Sequence, residues 1–227
     1  MRIRGWLFCS VMILGLSLNG WAKKPKEEKE EPKKTIKPEP KSNFSFELGY
    51  QQFFLSEKEI FDAVFGREYI DPIGIRFGAF PLKNLEVALG LGYSWNKGVG
   101  IGSGGTPSGE TVRMTIIPVQ LELCYRFDFM EEQLLVPSVG VGGDWWFFKE
   151  DNEFADDVEG DKAGWHAIAG IGILLDRIDP SGRFFLESEW GIENVFLEFT
   201  VRYAEMNAEN GFDFSGMGYN LGLRMEF

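Results

Sequence analysis

The 227-residue sequence has two cysteines, one histidine and, beyond its first 22 residues, no long apolar run. The absence of such a run excludes a transmembrane helix in the body of the chain, since a spanning helix needs about 20 apolar residues. Cys9 lies inside an apolar segment that continues from Val11 to Leu18, so it does not close a lipoprotein signal. If it leaves with that segment, Cys124 is alone and no intramolecular disulfide forms. A lone strand cysteine acts as a small filler. No Asp-x-Asp-x-Asp-Gly run is present, which excludes an EF-hand. The glycine-rich stretch from Lys97 to Gly109 has no Gly-Lys-Ser/Thr before a helix, which excludes a P-loop. No cofactor and no metal site is expected.

What is present begins with an export signal at 1–22. Arg2 and Arg4 give a positive start, Gly5 to Leu18 an apolar core, and Gly20-Trp21-Ala22 a small-x-small cleavage site. Residues 23–42 have no aromatic side chain, one aliphatic (Ile36) and four prolines, with eight Lys against five Glu. Such a segment buries too little surface to offset its ordering entropy and is expected to be disordered. It reads as a solvated linker or as a periplasmic tether to anionic cell-wall polymer. The formal net charge of the whole chain is −12. Setting aside the leader's two arginines and the tail's excess of three positive charges leaves about −17 on 43–227, which argues against nucleic acid as a partner.

The body from 43 to 227 is all-β in pattern. In its last stretch, Met217, Tyr219, Leu221, Leu223, Met225 and Phe227 are apolar and lie two apart, between Gly216, Gly218, Asn220, Gly222, Arg224 and Glu226. A period of two sends these sets to opposite faces of a strand. Eight such segments are read: Asn43–Phe53, Tyr69–Phe80, Leu85–Asn96, Val112–Phe127, Leu135–Phe148, Ala163–Leu175, Arg183–Tyr203 and Asp213–Phe227. Their connections alternate in length. Pro81–Asn84, Asp128–Leu134 and Asp176–Gly182 are short, while Phe54–Glu68, Lys97–Thr111 and Lys149–Lys162 are long. Short periplasmic turns and long outer loops are the habit of outer-membrane barrels.

Aromatic residues cluster near the strand ends. Phe53, Phe54, Tyr69, Tyr93, Trp95, Trp145, Trp146, Phe147, Phe148, Trp165, Tyr203 and Phe214 form a proposed outer belt. Phe44, Phe80, Phe127, Phe129, Phe184, Phe185 and Phe227 form an inner one. Pro118, inside the fourth segment, is expected to mark a bulge. The seventh segment is too long for one span and breaks its alternation at Ile192 to Asn194. Ser56 to Gly66 reads as a short helix in the first outer loop, capped by Ser56, with Ile60, Phe61 and Val64 as its apolar face.

Tyr219, Leu221, Leu223, Met225 and Phe227 resemble the C-terminal signature of bacterial outer-membrane β-barrels. The body as a whole resembles the small eight-stranded members, the group of the OmpA transmembrane domain, OmpX and OmpW. The resemblance implies an eight-stranded antiparallel up-and-down transmembrane barrel in the outer membrane. It also implies that the barrel-assembly machinery reads the last strand, with outer-membrane lipid and lipopolysaccharide as surroundings. The group's roles range from envelope structure and adhesion to small-molecule uptake and lipid A enzymology, so membership selects none.

The inward set holds Glu47, Arg76, Glu86, Glu122, Arg126, Glu187, Glu189, Glu198, Arg202, Arg224 and Glu226. Charges in a narrow lumen must be paired or hydrated, so they form either a structural ion-pair network or a path for small polar solutes. The segment from Glu150 to Asp161 carries seven carboxylates and reads as a solvated acidic loop or, with hard cations, a bridge to lipopolysaccharide phosphates. His166, beside Trp165, reads as a membrane-interface residue; a lipid A enzyme would need it next to Ser188 or Glu187. The reading is a non-enzymatic structural or surface-interaction barrel, with a narrow channel or small-molecule binder as the alternative.

Overall fold

The structure, a computed structural model, describes residues 42–102, 106–130, 133–154, 156–178, 180–206 and 212–227. The expected signal at 1–22 and all of the expected tail except Ser42 lie outside these residues. The elements are β1 (Phe44–Leu55), α1 (Lys58–Phe65), β2 (Tyr69–Ile70), β3 (Ile73–Leu82), β4 (Leu85–Ile101), β5 (Pro107–Arg126), β6 (Leu135–Asn152), β7 (Val158–Leu174), α2 (Pro180–Trp190), β8 (Asn194–Met206) and β9 (Gly216–Glu226).

Each long strand pairs antiparallel with the next, and β9 returns to β1 from Ser45↔Glu226 to Leu55↔Gly216. Eight long strands thus close into a barrel, and β2 adds two residues beside the outer end of β1. Closure leaves no unpaired long edge to recruit another chain.

The period of two decides which side chains meet which medium. Leu221 is 53% exposed and Leu223 42% exposed, whereas Arg224 is 2% exposed and Glu226 7% exposed. The outer face carries Leu89, Leu91, Leu121, Val141, Phe199 and Tyr219, all exposed. No second protein layer covers this face among the described residues. Apolar side chains outside and charges inside reverse the order of a soluble sheet, and they match a barrel in lipid. From Leu85 to Trp95 the outward row of β4 is apolar, a rise of about 25 Å for a strand tilted by about 40°.

Four expectations need correction. The seventh segment is not one strand: its first part is α2, and β8 begins only at Asn194. Three consecutive apolar residues, Phe184 to Leu186, cannot follow a period of two. Gly191 ends the helix at φ 68, and its N–H donates to the Glu187 carbonyl at 3.2 Å, the five-to-one bond of a left-handed cap.

The long connections at 97–111 and 149–162 are largely ladder. Val99 pairs with Thr111 and Lys149 with Glu159, so two hairpins rise beyond the apolar band. Pro118 causes no bulge. The β4–β5 ladder lapses at Gly92 and Tyr93 and resumes at Ser94↔Ile116 in unchanged register. A Cβ at Gly92 would lie 2.8 Å from the Pro118 Cγ, so the missing side chain makes room for the ring.

Helix α1 forms where expected, but without a side-chain cap from Ser56. Its N-cap is Glu57, which makes no capping bond. Phe61 is its buried residue while Ile60 is exposed, so the apolar face is rotated from the expected one.

Candidate functional site

The lumen is filled in layers. At the end carrying α1 and the hairpins, Phe53, Leu55, Phe61, Ile70, Met114, Ile116, Trp146, Ala204, Met206 and Phe214 form one buried apolar plug. Phe53, Trp146 and Phe214 were expected in the outer belt. They point inward, and Trp145 and Phe147 are the exposed members of the β6 run. The Phe53 and Trp146 rings meet edge to face at 5.2 Å, a contact that adds about 1 kcal/mol to burial alone. Phe61 is supplied by α1, so the helix is part of the closure.

Below the plug lies a network of charges. Glu86, fully buried, accepts from Arg224 Nη1 at 3.0 Å and Nη2 at 2.9 Å, from Arg76 Nη2 at 2.9 Å, and from the Ser45 hydroxyl. Arg76 also bonds Glu122 and reaches Glu47 at 3.7 Å. Arg224 Nε donates to Glu226 at 3.1 Å. Arg126 donates to Glu198 at 2.7 Å, lies 3.6 Å from Glu226, and sits 4.7 Å over the Phe196 ring. The Asn220 amide donates to Glu47 at 3.0 Å.

Nine of the eleven charges expected in the lumen are therefore there, joined through short contacts or, for Arg202, through the histidine described next. Glu187 and Glu189 are not. They lie exposed on α2, outside the sheet, because the strand that was to carry them is a helix.

Two members were missed. Asp144 and His166 are buried in the lumen, with His166 at 0% exposure. His166 Nδ1 is 2.8 Å from Asp144, and Nε2 is 3.5 Å from Glu122. Arg202 bonds Asp144 and lies 3.1 Å from His166 Nδ1. Trp146 Nε1 donates to Asp144 at 3.1 Å and so ties the network to the plug. The expected interface role of His166 is overturned by parity: Trp165 faces out, so its neighbour faces in. The same step of two from Gly140 and Gly142 reaches Asp144. His166 is also remote from Ser188, which sits on exposed α2 and donates to the Phe185 carbonyl. Among the described residues the structure does not assemble a serine–histidine pair.

Bulk and absence of bulk face each other across the ladders. A Cβ at Gly78 would run into Glu86, one at Gly142 into His166 and one at Gly222 into Glu47. Among these groups lies a cavity of about 90 Å³ lined in part by Gln51, Gln120, Thr200 and Asn220, room for a few waters at about 30 Å³ each. Eight strands leave an interior just wide enough for side chains, in accord with this filling.

The acidic stretch at 150–161 lies beyond the apolar band. Lys149 bonds Asp151 and lies 3.4 Å from Asp157 Oδ2. The Asn152 N–H donated to Asp157, helped by Lys149, holds the Asp157 carboxyl below its usual range. At the opposite end, burial pushes Asp176 up, against the Val195 N–H that it accepts at 2.8 Å.

No family model matches the sequence, and no curated protein matches it. Solved structures do. The outer membrane protein OprG from Pseudomonas aeruginosa is similar with a TM-score of 0.58 at 14% identity, over 82% of this chain and 97% of OprG. Ail of Yersinia pestis, in complex with the heparin analogue sucrose octasulfate, gives 0.49 at 11% identity over 83% and 100%. Neisserial surface protein A gives 0.46 at 13% identity over 81% and 97%. The fold is that of the small eight-stranded outer-membrane β-barrels. With its apolar face outward and its charges enclosed, the chain is an integral outer-membrane barrel.

Proposed function

We infer that this barrel is a non-conducting, non-enzymatic structural or surface-presenting protein. One observation carries the reading: the lumen is occluded twice, by the apolar plug and by the ion-pair network. A hydrated path would need to cross both. The hairpins β4–β5 and β6–β7 then face the outside and present the acidic 150–161 stretch. Both ends of the body and α2 face the periplasm, where residues 23–42 would reach cell-wall polymer after cleavage of 1–22. Tyr219, Leu221, Leu223, Met225 and Phe227 lie along the lipid-facing side of β9 and beyond, where assembly machinery would read them.

Planar-bilayer recording tests this reading. The expected result is no stepwise conductance from the full barrel. Regular unitary steps, altered by Glu122→Gln, would replace it with the narrow-channel reading. The cavity beside Gln51 and Asn220 supports one second reading, a binder of a very small polar solute. A saturable uptake signal in liposomes without ion conductance would favour it.

A further inference from the structure

Just above Trp95 the outward rows of β4, β5 and β6 carry the charges Lys97, Arg113 and Lys149, before β4 continues outward with Val99 and Ile101. Trp95 stands across from Thr115, and one row further out Lys97 stands directly across from Arg113. Both are exposed. Like charges opposed on neighbouring strands destabilise a sheet unless something neutralises them.

A carboxylate is close by, since Arg113 pairs in register with Asp151 on β6. That carboxylate is engaged by Lys149, which also reaches Asp157. Glu153 is engaged as well and accepts the Thr111 N–H at 3.1 Å. Among the described residues Lys97 and Arg113 have no ion-pair partner. A body with a net charge of about −17 thus keeps two adjacent cations open. They face outward, one row beyond Trp95.

We propose that Lys97 and Arg113 together hold the phosphate of a lipid headgroup in the outer leaflet. The guanidinium offers a planar two-pronged donor and the ammonium a compact charge, and both suit a phosphate monoester. Height selects a lipid as its source. The apolar row from Leu85 to Trp95 covers about 25 Å, the thickness of the barrel's lipid band, so the next row meets headgroups. The site rests on the orientation given above, with the hairpins outside.

Native mass spectrometry of the full barrel released from mixed micelles tests the site with bisphosphorylated lipid A as the probe. Lys97→Gln with Arg113→Gln is expected to weaken binding about 25-fold, roughly fivefold for each basic group lost at a charged membrane surface. Both positions are exposed, so the fold persists, and Arg113→Lys alone retains most of the binding. Fully dephosphorylated lipid A is expected to bind the unaltered barrel as weakly as bisphosphorylated lipid binds the double variant. Equal binding by the double variant and the unaltered barrel would overturn the site, as would indifference to the phosphates. Sucrose octasulfate displacing the lipid completely at equal concentration would overturn the assignment to lipid. Maleimide labelling of Val158→Cys on intact cells reports the orientation separately. Labelled cells with phosphate-independent binding sink the site alone, and unlabelled cells sink the orientation.

Discussion

The plug and the charged layer fill the same tube by opposite physics. The plug gains from burial and tolerates change in proportion to volume lost. Leu55, Ile116 and Met206 need only shape. The charged layer gains little from any one pair, because each ion gives up its hydration before it meets a partner. It is held by completeness. Glu86 serves Arg76 and Arg224 at once, so its loss leaves two cations each short of a carboxylate, whereas loss of Phe53 leaves a hole. One half of the lumen is therefore sensitive to partners and the other to size.

The largest expected effect tests that contrast. Glu86→Ala takes the shared carboxylate from both guanidiniums, leaving Arg76 to Glu122 and Arg224 to Glu226, and is expected to lower stability by about 3–5 kcal/mol. Urea unfolding in micelles, followed by the heat-modifiable gel shift, measures it. Glu86→Gln, which keeps shape and acceptor oxygen, should recover part of the loss. If Glu86→Ala were neutral, the completeness argument would fail.

Next comes Trp146→Ala, expected to cost about 3 kcal/mol from lost burial and the cavity left behind. A Trp146→Phe variant should keep much of that, since size is what the plug requires. The Asp144 carboxylate would lose one of its donors in either variant. Equal losses for the two variants in the same unfolding assay would show that this hydrogen bond, not volume, matters there.

His166→Ala follows, at about 1–3 kcal/mol, since it unpairs one side of Asp144 and opens space at Gly142. The double variant His166→Ala with Asp144→Ala should be less damaging than the sum of the two single ones. A strictly additive cycle would show that the contact carries no coupling.

The smallest effect belongs to the outer acidic hairpin and to pH. The carboxyl of Asp157 is held low by the Asn152 N–H and Lys149. A depressed carboxyl contributes stability above the ordinary value of about 4, and that contribution fades as pH falls through the folded value. The protection factor of the Asn152 amide, its exchange rate divided into the intrinsic rate at the same pH, should therefore fall at pH 3 relative to pH 6, with the barrel midpoint almost unmoved. Asp157→Asn should erase the difference.

The wall of the barrel was legible because lipid and lumen impose one rule, period two, on every strand. Leu221 and Arg224 could be assigned to faces without any partner in view. The same rule places Asp144 and His166 inward, whereas the Trp165 neighbour of His166 points to a membrane interface only for its own face. Parity also puts Phe53 and Trp146 inside, although composition suggested a belt. Helix α2 hides in a segment whose later half alternates as a strand; its own signals are the consecutive apolar residues Phe184 to Leu186 and the stop at Gly191. Pairing inside the lumen was not readable at all. That Arg76 reaches Glu122, 46 residues away, depends on strand stagger, which alternation does not encode.

Gly78 against Glu86, Gly142 against His166 and Gly222 against Glu47 make the interior a set of matched recesses and projections. Enlargement on one strand demands a concession on its neighbour, so tolerated sequence drift in this lumen should travel in pairs. A methyl group added at Gly222 alone collides with the Glu47 carboxylate, while the same methyl beside a smaller residue at 47 finds room. Families descended from this chain would then carry their history as coordinated swaps across adjacent strands, with the lipid-facing residues free to wander one at a time.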